Sequence, residues 1–388
     1  MHSRAIVSGH FRTHNPNEQS VDRGGYDGSL MPLDVLDRAQ LLVVTGKGGT
    51  GKTTVAAALA IAAARRGRRT LVVEVEGRQG LAAPFGRRSL GYQETRLADG
   101  VNGLAVDPEE SLREYLGRYG FAPLARLLSW ARLTNFITAA APGLGDILLV
   151  GKVWEAATRR SGPRRVYDLV VLDAPPTGRV VPFLRTPETV AELARVGPIR
   201  HQADRVKELL DDPDRTAMVL TCLPEELPVT ETIEASVALR AAELPLGAVI
   251  ANQVSADRLA SRVSRLPSLS RDPSPLVEIA AMAGAKLDEA AVGVLLEEAR
   301  DRQRQVARER RLLKELRAKL GEDLPVVELP LLAGGAAGPE AVRQLAGRLL
   351  DSPLSGDGEL DAGRSKPGGK GRSGRAKGAA PARADAQW

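Results

Sequence analysis

Nine consecutive residues constrain this chain more than any others: Gly46 to Thr54 read Gly-Lys-Gly-Gly-Thr-Gly-Lys-Thr-Thr. Gly46, Gly51, Lys52 and Thr53 satisfy the phosphate-loop pattern G-x-x-x-x-G-K-[ST]. The apolar run Leu41-Leu42-Val43-Val44 precedes it and an alanine-rich helical stretch follows, so strand, loop and helix stand in the order the motif requires. Glycines let backbone N–H groups turn inward on a polyphosphate with no Cβ in the way, and the helix N-terminus adds its partial positive charge. In this pattern Lys52 bridges the β- and γ-phosphates and Thr53 holds Mg²⁺. The competing reading, a Gly-rich turn of no consequence, has to ignore both flanking elements.

The rest of the body repeats the strand-then-helix rhythm. Strands are expected at 41–45, 70–75, 168–173, 217–222, 247–252 and 325–329, with helices at 52–65, 230–243 and 339–350. Such alternation implies an α/β fold built on a mostly parallel, doubly wound sheet covered on both faces, with phosphates bound at the carboxyl ends of its strands. Residues from about 109 to 161 interrupt the rhythm. Leu124, Leu127, Leu128, Ala131, Phe136 and Ile137, then Ile147, Leu148, Val153 and Trp154, follow three- and four-residue spacing broken at Pro142-Gly143, which reads as a helical insertion. Its apolar residues read ordinarily as plain core. A second helical tract, Lys286 to Leu320, carries Leu296, Val306, Leu312, Leu313 and Leu316 among dense Arg and Glu. Only one phosphate loop is present, so two tandem copies of the motif are excluded.

Charge and cysteine content narrow the class. Of the net charge of +6, all is accounted for beyond Ala362, where seven Lys/Arg meet one Asp, so the body is neutral. Residues 1–36 are polar and without apolar periodicity, and residues 352–388 form a Gly-rich basic tail; both read as disordered segments flanking a domain at 37–351. The tail reads as solvated coil in preference to a nucleic-acid or membrane-surface arm. No apolar run is long enough to span a bilayer and the N-terminus has no apolar leader core, so direct membrane insertion is not expected. Cys222 is the single cysteine, which excludes an internal disulfide and fits a reducing compartment. His2, His10 and His14 fall in the N-terminal segment, leaving only His201 in the body, so no Cys/His metal cluster can be assembled.

Lys47 directs the reading further. A second lysine directly after the first loop glycine is superfluous for phosphate binding, because Lys52 already does that. This deviant Walker A loop resembles that of the dimeric ATPases of the MinD-like (SIMIBI) class, which includes MinD, ParA, nitrogenase iron protein and the arsenite-pump ATPase ArsA. By that resemblance Lys47 reaches across a two-fold interface and acts on developing phosphoryl charge as an arginine finger does.

Three further segments point to the ArsA-type branch, which comprises arsenical-pump and tail-anchored-protein-targeting ATPases. Val170-Val171-Leu172-Asp173 is a hydrophobic strand ending in a carboxylate suited to magnesium's water shell, and it continues as Ala174-Pro175-Pro176-Thr177-Gly178. The branch has Asp-Thr-Ala-Pro-Thr-Gly here, differing at the second and third positions, which implies that Thr177 and Gly178 form the γ-phosphate switch with Asp173. Arg179 stands where the branch often has His. At Glu76-Gly77-Arg78-Gln79-Gly80-Leu81 the branch has Asp-Pro-Ala-His-(Ser/Asn)-Leu, so Glu76 takes the place of the water-orienting aspartate with one extra methylene. A solvated strand-end role remains open for Glu76, with Glu74 as its rival. Leu220 to Leu227 followed by Glu231-Thr232, and then Ile250-Ala251-Asn252-Gln253, match the branch's next two strands. The match implies that Asn252 reads the adenine edge, although an Asn there also serves as a turn former. Pro330-Leu331-Leu332 matches the segment that packs on the adenine ring.

The resemblance spans about Leu41 to Leu350. It implies an ArsA-type (anion-transporting) P-loop ATPase, cytoplasmic, using ATP and Mg²⁺. Gly46, Lys47, Gly48, Gly49, Thr50, Gly51, Lys52, Thr53, Thr54, Asn252, Pro330 and Leu331 would bind ATP. Lys47, Lys52 and Glu76 would be catalytic, and Thr53 and Asp173 would hold the metal. Its partner would be an identical subunit or a related ATPase in a heterodimer, with an unknown protein client or membrane transporter beyond that and no specific nucleic acid. Two alternatives are a MinD- or ParA-like positioning switch, which the neutral body and Gly-rich tail disfavour, and a nucleotide-binding subunit of weak hydrolysis paired with a catalytic partner. Thiolate coordination of a metalloid is not expected, because Cys222 stands alone in an apolar strand, where a small buried core residue is the ordinary reading.

Overall fold

A computed structural model describes residues 34–75, 80–118, 143–193, 198–256, 272, 274–332 and 338–351. The Leu41–Gly46 run becomes β1, buried at every position. After the loop, α2 (Lys52–Arg65) follows the short α1 (Val35–Arg38), and β2 (Thr70–Glu74) returns to the sheet. Then come β3 (Thr95–Ala98), β4 (Val101–Ala105), α3 (Pro108–Arg118), α4 (Leu144–Thr158) and the two-residue strands β5 (Arg160–Ser161) and β6 (Arg164–Arg165). The chain continues through β7 (Leu169–Asp173), α5 (Thr177–Leu193), α6 (Pro198–Asp211), β8 (Thr216–Cys222), α7 (Glu226–Ala241) and β9 (Leu246–Val254). Helices α8 (Ser274–Met282) and α9 (Glu289–Leu320), β10 (Val326–Pro330) and α10 (Pro339–Asp351) complete the order.

The main sheet has eight strands in the order β10-β9-β8-β1-β7-β2-β4-β3, and only β3 runs antiparallel to its neighbour. Because successive strand residues point to opposite faces, one run of branched side chains feeds two cores. Leu41 and Val43, Val170 and Leu172, and Met218 and Leu220 face a layer made by α4, α5, α6, α7 and the C-terminal half of α9. Leu42 and Val44, Val171, and Ala217 and Val219 face α1, α2 and α10. The alternation expected from sequence is thus a parallel sheet with helices on both sides.

Alanine explains where α2 sits. Ala56, Ala57, Ala58, Ala60, Ala62 and Ala63 are all wholly buried, so the helix lies close against the sheet while retaining the strongest intrinsic helix preference. That proximity brings the N-terminus of α2 to the carboxyl edge of β1.

Several bounds differ from those expected. Helix α7 starts four residues earlier, at Glu226, because Pro228 falls in its first turn, where a missing N–H breaks no intrahelical bond. Helix α5 contains Pro182 and Pro187, so its sequence reads as interrupted and its existence was not expected. The β3–β4 hairpin at the sheet edge was missed as well: β3 is exposed or half-buried throughout, with no core-facing alternation to reveal it. Leu124, Leu127, Leu128, Ala131, Phe136 and Ile137 of the expected insertion lie outside the described residues.

Candidate nucleotide site

The strands β1 and β7 are hydrogen-bonded neighbours, with Val44 opposite Asp173, so the loop after β1 and the carboxylate ending β7 emerge side by side. Together they line a cavity of about 280 Å³ formed by Gly48, Gly49, Gly51, Lys52, Thr53, Val75, Asp173 and Ala174. Lys52 is 7% exposed and its Nζ donates to the carbonyl of Lys47 at 3.2 Å, which spans the loop from one end to the other. Thr53 Oγ1 donates to Asp173 Oδ2 at 2.6 Å. A hydroxyl and a carboxylate held this close at the helix start are oxygen donors of the kind that would hold a hard divalent cation.

The floor of the loop is fixed by packing and hydroxyl contacts. A Cβ on Gly46 would stand 2.2 Å from Thr221 Oγ1, and one on Gly51 would stand 2.3 Å from Asn252 Nδ2. Gly51 also has φ 86°, a left-handed conformation that L side chains adopt only under strain. Thr50 Oγ1 donates to the Lys47 carbonyl at 2.8 Å, and it shares a 2.8 Å hydrogen bond with Thr221 Oγ1. Thr221 Oγ1 also lies 3.1 Å from the Thr45 carbonyl, to which it donates when its proton is not on the Thr50 bond, while Thr45 Oγ1 donates to the Pro175 carbonyl at 2.7 Å. Thr45, Thr50 and Thr221 are at most 1% exposed, so each unmade bond here would cost the full desolvation of its group.

Asn252 has one amide arm engaged and one open. Its Nδ2 donates to the Thr50 carbonyl at 2.9 Å, whereas its buried Oδ1 has no hydrogen-bond partner among the described residues. The backbone beyond it is set by Gln253 in the left-handed region at φ 58° and by Glu309 of α9, which accepts from Ser255 N and Ser255 Oγ, both at 2.8 Å. Leu331, whose N–H donates to the Val254 carbonyl at 2.9 Å, is 38% exposed beside this strand end, and Pro330 ends β10. An unsatisfied buried acceptor next to an exposed apolar side chain fits an aromatic base carrying an amino group.

Lys47 does not enter its own cavity: its Nζ donates to Glu231 Oε1 on α7 at 2.5 Å. Glu231 was singled out in the sequence only as part of a Glu-Thr pair, and its role as the partner of Lys47 was missed, because 184 residues separate the two. Glu76 lies outside the described residues. Its rival Glu74 is 2% exposed and accepts from Gly80 N at 2.8 Å and Leu81 N at 3.1 Å, so both carboxylate oxygens are engaged by the backbone at 80–81. Thr177 and Gly178 open α5, and Gly178 has open space where a Cβ would go. Arg179, in that first turn, donates from Nη2 to Asp146 Oδ1 at 2.7 Å in the first turn of α4.

Helix α4 also walls a second, largely apolar cavity of about 240 Å³ with α3 and α6, where Leu144, Ile147, Leu148 and Trp154 face Leu112, Tyr115 and Val206. Burial pushes the Cys222 thiol up to about 11, so it stays protonated at neutral pH. No cluster of three or more potential metal-ligating His, Cys, Asp or Glu side chains occurs among the described residues, and no helix among them is long and apolar enough to cross a membrane.

The comparisons with known proteins agree with this geometry. The family model described as "Anion-transporting ATPase" matches residues 39–200 and 191–268. The chain is 39% identical over 308 residues to "ATPase BagA" of Mycobacterium tuberculosis, covering 77% of this chain and 89% of that protein. It is 26% identical over 252 residues to "ATPase GET3" of Kluyveromyces lactis, covering 55% and 71% respectively. With a phosphate loop between β1 and α2, an acidic β7 terminus beside it and these matches, the chain belongs to the ArsA family of anion-transporting ATPases and is an ATPase of that type.

Proposed function

We propose that the protein binds Mg·ATP between two subunits in the cytoplasm and that hydrolysis drives a conformational cycle coupled to a protein client or membrane transporter. The loop N–H groups and Lys52 neutralise the phosphates. Thr53 and Asp173 hold the magnesium ion, which supplies charge neutralisation on the phosphate oxygens. Glu76 orients the attacking water, Asn252 Oδ1 accepts from the adenine amino group, and Pro330 and Leu331 flank the ring. Lys47 acts on the partner subunit's nucleotide.

The observation that carries this reading is the direction of Lys47. With Lys52 already inside the cavity, the second ammonium turns outward to Glu231. A cation at the loop tip that leaves its own cavity is available to a site across an interface. Thr177-Gly178-Arg179 then link the γ-phosphate position to α4 through Asp146, and α4 walls the apolar cavity in which a client segment would sit.

A second reading, a nucleotide-holding subunit that pairs with a catalytic ATPase, is favoured by the glutamate at position 76 where the family pattern has aspartate. One experiment separates the two. ATP turnover is measured for wild type, Lys47→Ala and Glu76→Asp while light scattering follows dimerisation. Wild-type turnover that Lys47→Ala abolishes, with an ATP-driven dimer, supports the hydrolytic cycle. ATP retained without turnover, and hydrolysis gained in Glu76→Asp, supports the holding subunit.

A further inference from the structure

The Lys47–Glu231 contact joins two parts of the molecule that are held very differently. Glu231 lies on α7, where Val229 and Thr232 are each 2% exposed, so the backbone that carries its carboxylate is anchored. Lys47 lies at the loop tip. Its carbonyl is fixed by Lys52 Nζ and Thr50 Oγ1, but the neighbouring Gly48 and Gly49 have nothing within 4 Å of where a Cβ would stand. The backbone is therefore pinned while the four-carbon arm has room to swing. Among the described residues Glu231 is the polar partner of the Lys47 ammonium, and the two side chains are 33% and 39% exposed.

Exposure of that degree means solvent screens the pair, so a single carboxylate holds the lysine only lightly. A nucleotide triphosphate presents several negative charges and takes the lysine from one carboxylate at comparable distance. We infer that Glu231 is a positioning residue that holds Lys47 against its own subunit until a nucleotide-loaded partner arrives, and that it thereby sets the protein concentration at which turnover begins. The inference rests on the trans role proposed for Lys47.

The test is ATP turnover and ATP-driven dimerisation as functions of protein concentration for wild type, Glu231→Gln and Glu231→Asp. Releasing the lysine should lower the dimerisation midpoint of Glu231→Gln by roughly 2- to 5-fold, the range a screened ion pair spans, with a matching rise in turnover confined to concentrations below the midpoint. Glu231→Asp, one methylene short but still charged, should fall between the two and carries the same test if Glu231→Gln unfolds. An unchanged or raised midpoint, or a turnover that falls at every concentration, overturns the inference. Lys47→Ala in the same assay keeps the two ideas apart: wild-type turnover from that variant would overturn the trans role itself.

Discussion

The floor and the tip of the phosphate loop are built on opposite principles. Beneath the loop, Thr45, Thr50, Thr221 and Asn252 are buried and mutually hydrogen-bonded, and Gly46 and Gly51 are packed so closely that a single added carbon collides. At the tip, the Lys47 ammonium has one screened contact among the described residues, Gly48 and Gly49 border open space, and Arg179 reaches out of the switch to Asp146. A rigid floor can present N–H groups to a phosphate with no reorganisation, whereas a loose tip can change partners. The floor of the loop is over-determined, and the tip, which the proposal sends across an interface, is under-determined.

The sharpest way to break this contrast is at the tip. Lys47→Ala should lower turnover by about 10³-fold or more, as removal of a finger residue does, while ATP binding survives. Steady-state kinetics beside equilibrium binding of a fluorescent ATP analogue measures both, and a parallel loss of binding would erase the distinction. At the floor, Thr221→Val keeps the shape but leaves the Thr45 carbonyl and the Thr50 hydroxyl short of a partner, at a cost of about 1–3 kcal/mol. Denaturant unfolding should register that loss, and ATP affinity should weaken with it.

Smaller effects sharpen the comparison. Arg179→Ala should change stability by less than about 1 kcal/mol, because solvent screens the Asp146 pair it removes, and if the switch reaches α4 the variant should show a smaller gain in α4 hydrogen-exchange protection on adding nucleotide than wild type does. The same protection in variant and wild type would disconnect the switch from α4. Far from the loop, at the starts of β2 and β7, Arg69 grips Asp168 through its backbone N–H and guanidinium, and the Arg69 hydrogen bond is the leading cause that lowers the Asp168 carboxyl to about 2. A depressed folded-state value stabilises above the ordinary carboxylate range and is lost as pH falls toward about 2. Asp168→Asn should therefore cost about 1 kcal/mol or less at neutral pH, with the gap from wild type closing in acid and turnover unaffected. A gap that persists at low pH would mean that packing, not charge, sets the difference.

Much of the floor was legible in the sequence because its chemistry is local. Gly46, Gly51, Lys52 and Thr53 fall within one short motif, and Asp173 ends a strand whose apolar run announces it. The mostly parallel character of the sheet followed from the alternation of strands with helices, but the order of the strands in it did not. What stayed hidden depends on long-range contacts or on broken local rules. Glu231 meets Lys47 across 184 residues, Glu309 braces the end of β9 from the middle of a helix, and Thr221 supports the loop from a neighbouring strand. Helix α5 forms despite Pro182 and Pro187 because Val180, Phe183 and Leu184 are buried against the sheet, a tertiary gain that outweighs local propensity. Glu74 looked like a competitor for the water-orienting role until both its oxygens were found on backbone N–H groups.

The trans action of Lys47 is tested most directly by mixing two inactive variants. Lys47→Ala keeps its ATP cavity but lacks the reaching lysine, and Lys52→Ala keeps the reaching lysine but has lost the phosphate-binding one. If Lys47 serves the partner's nucleotide, the mixture forms dimers with one competent site and turnover returns on mixing. Mixed dimers that form, as judged by light scattering, yet hydrolyse no ATP would contradict it and return Lys47 to its own subunit.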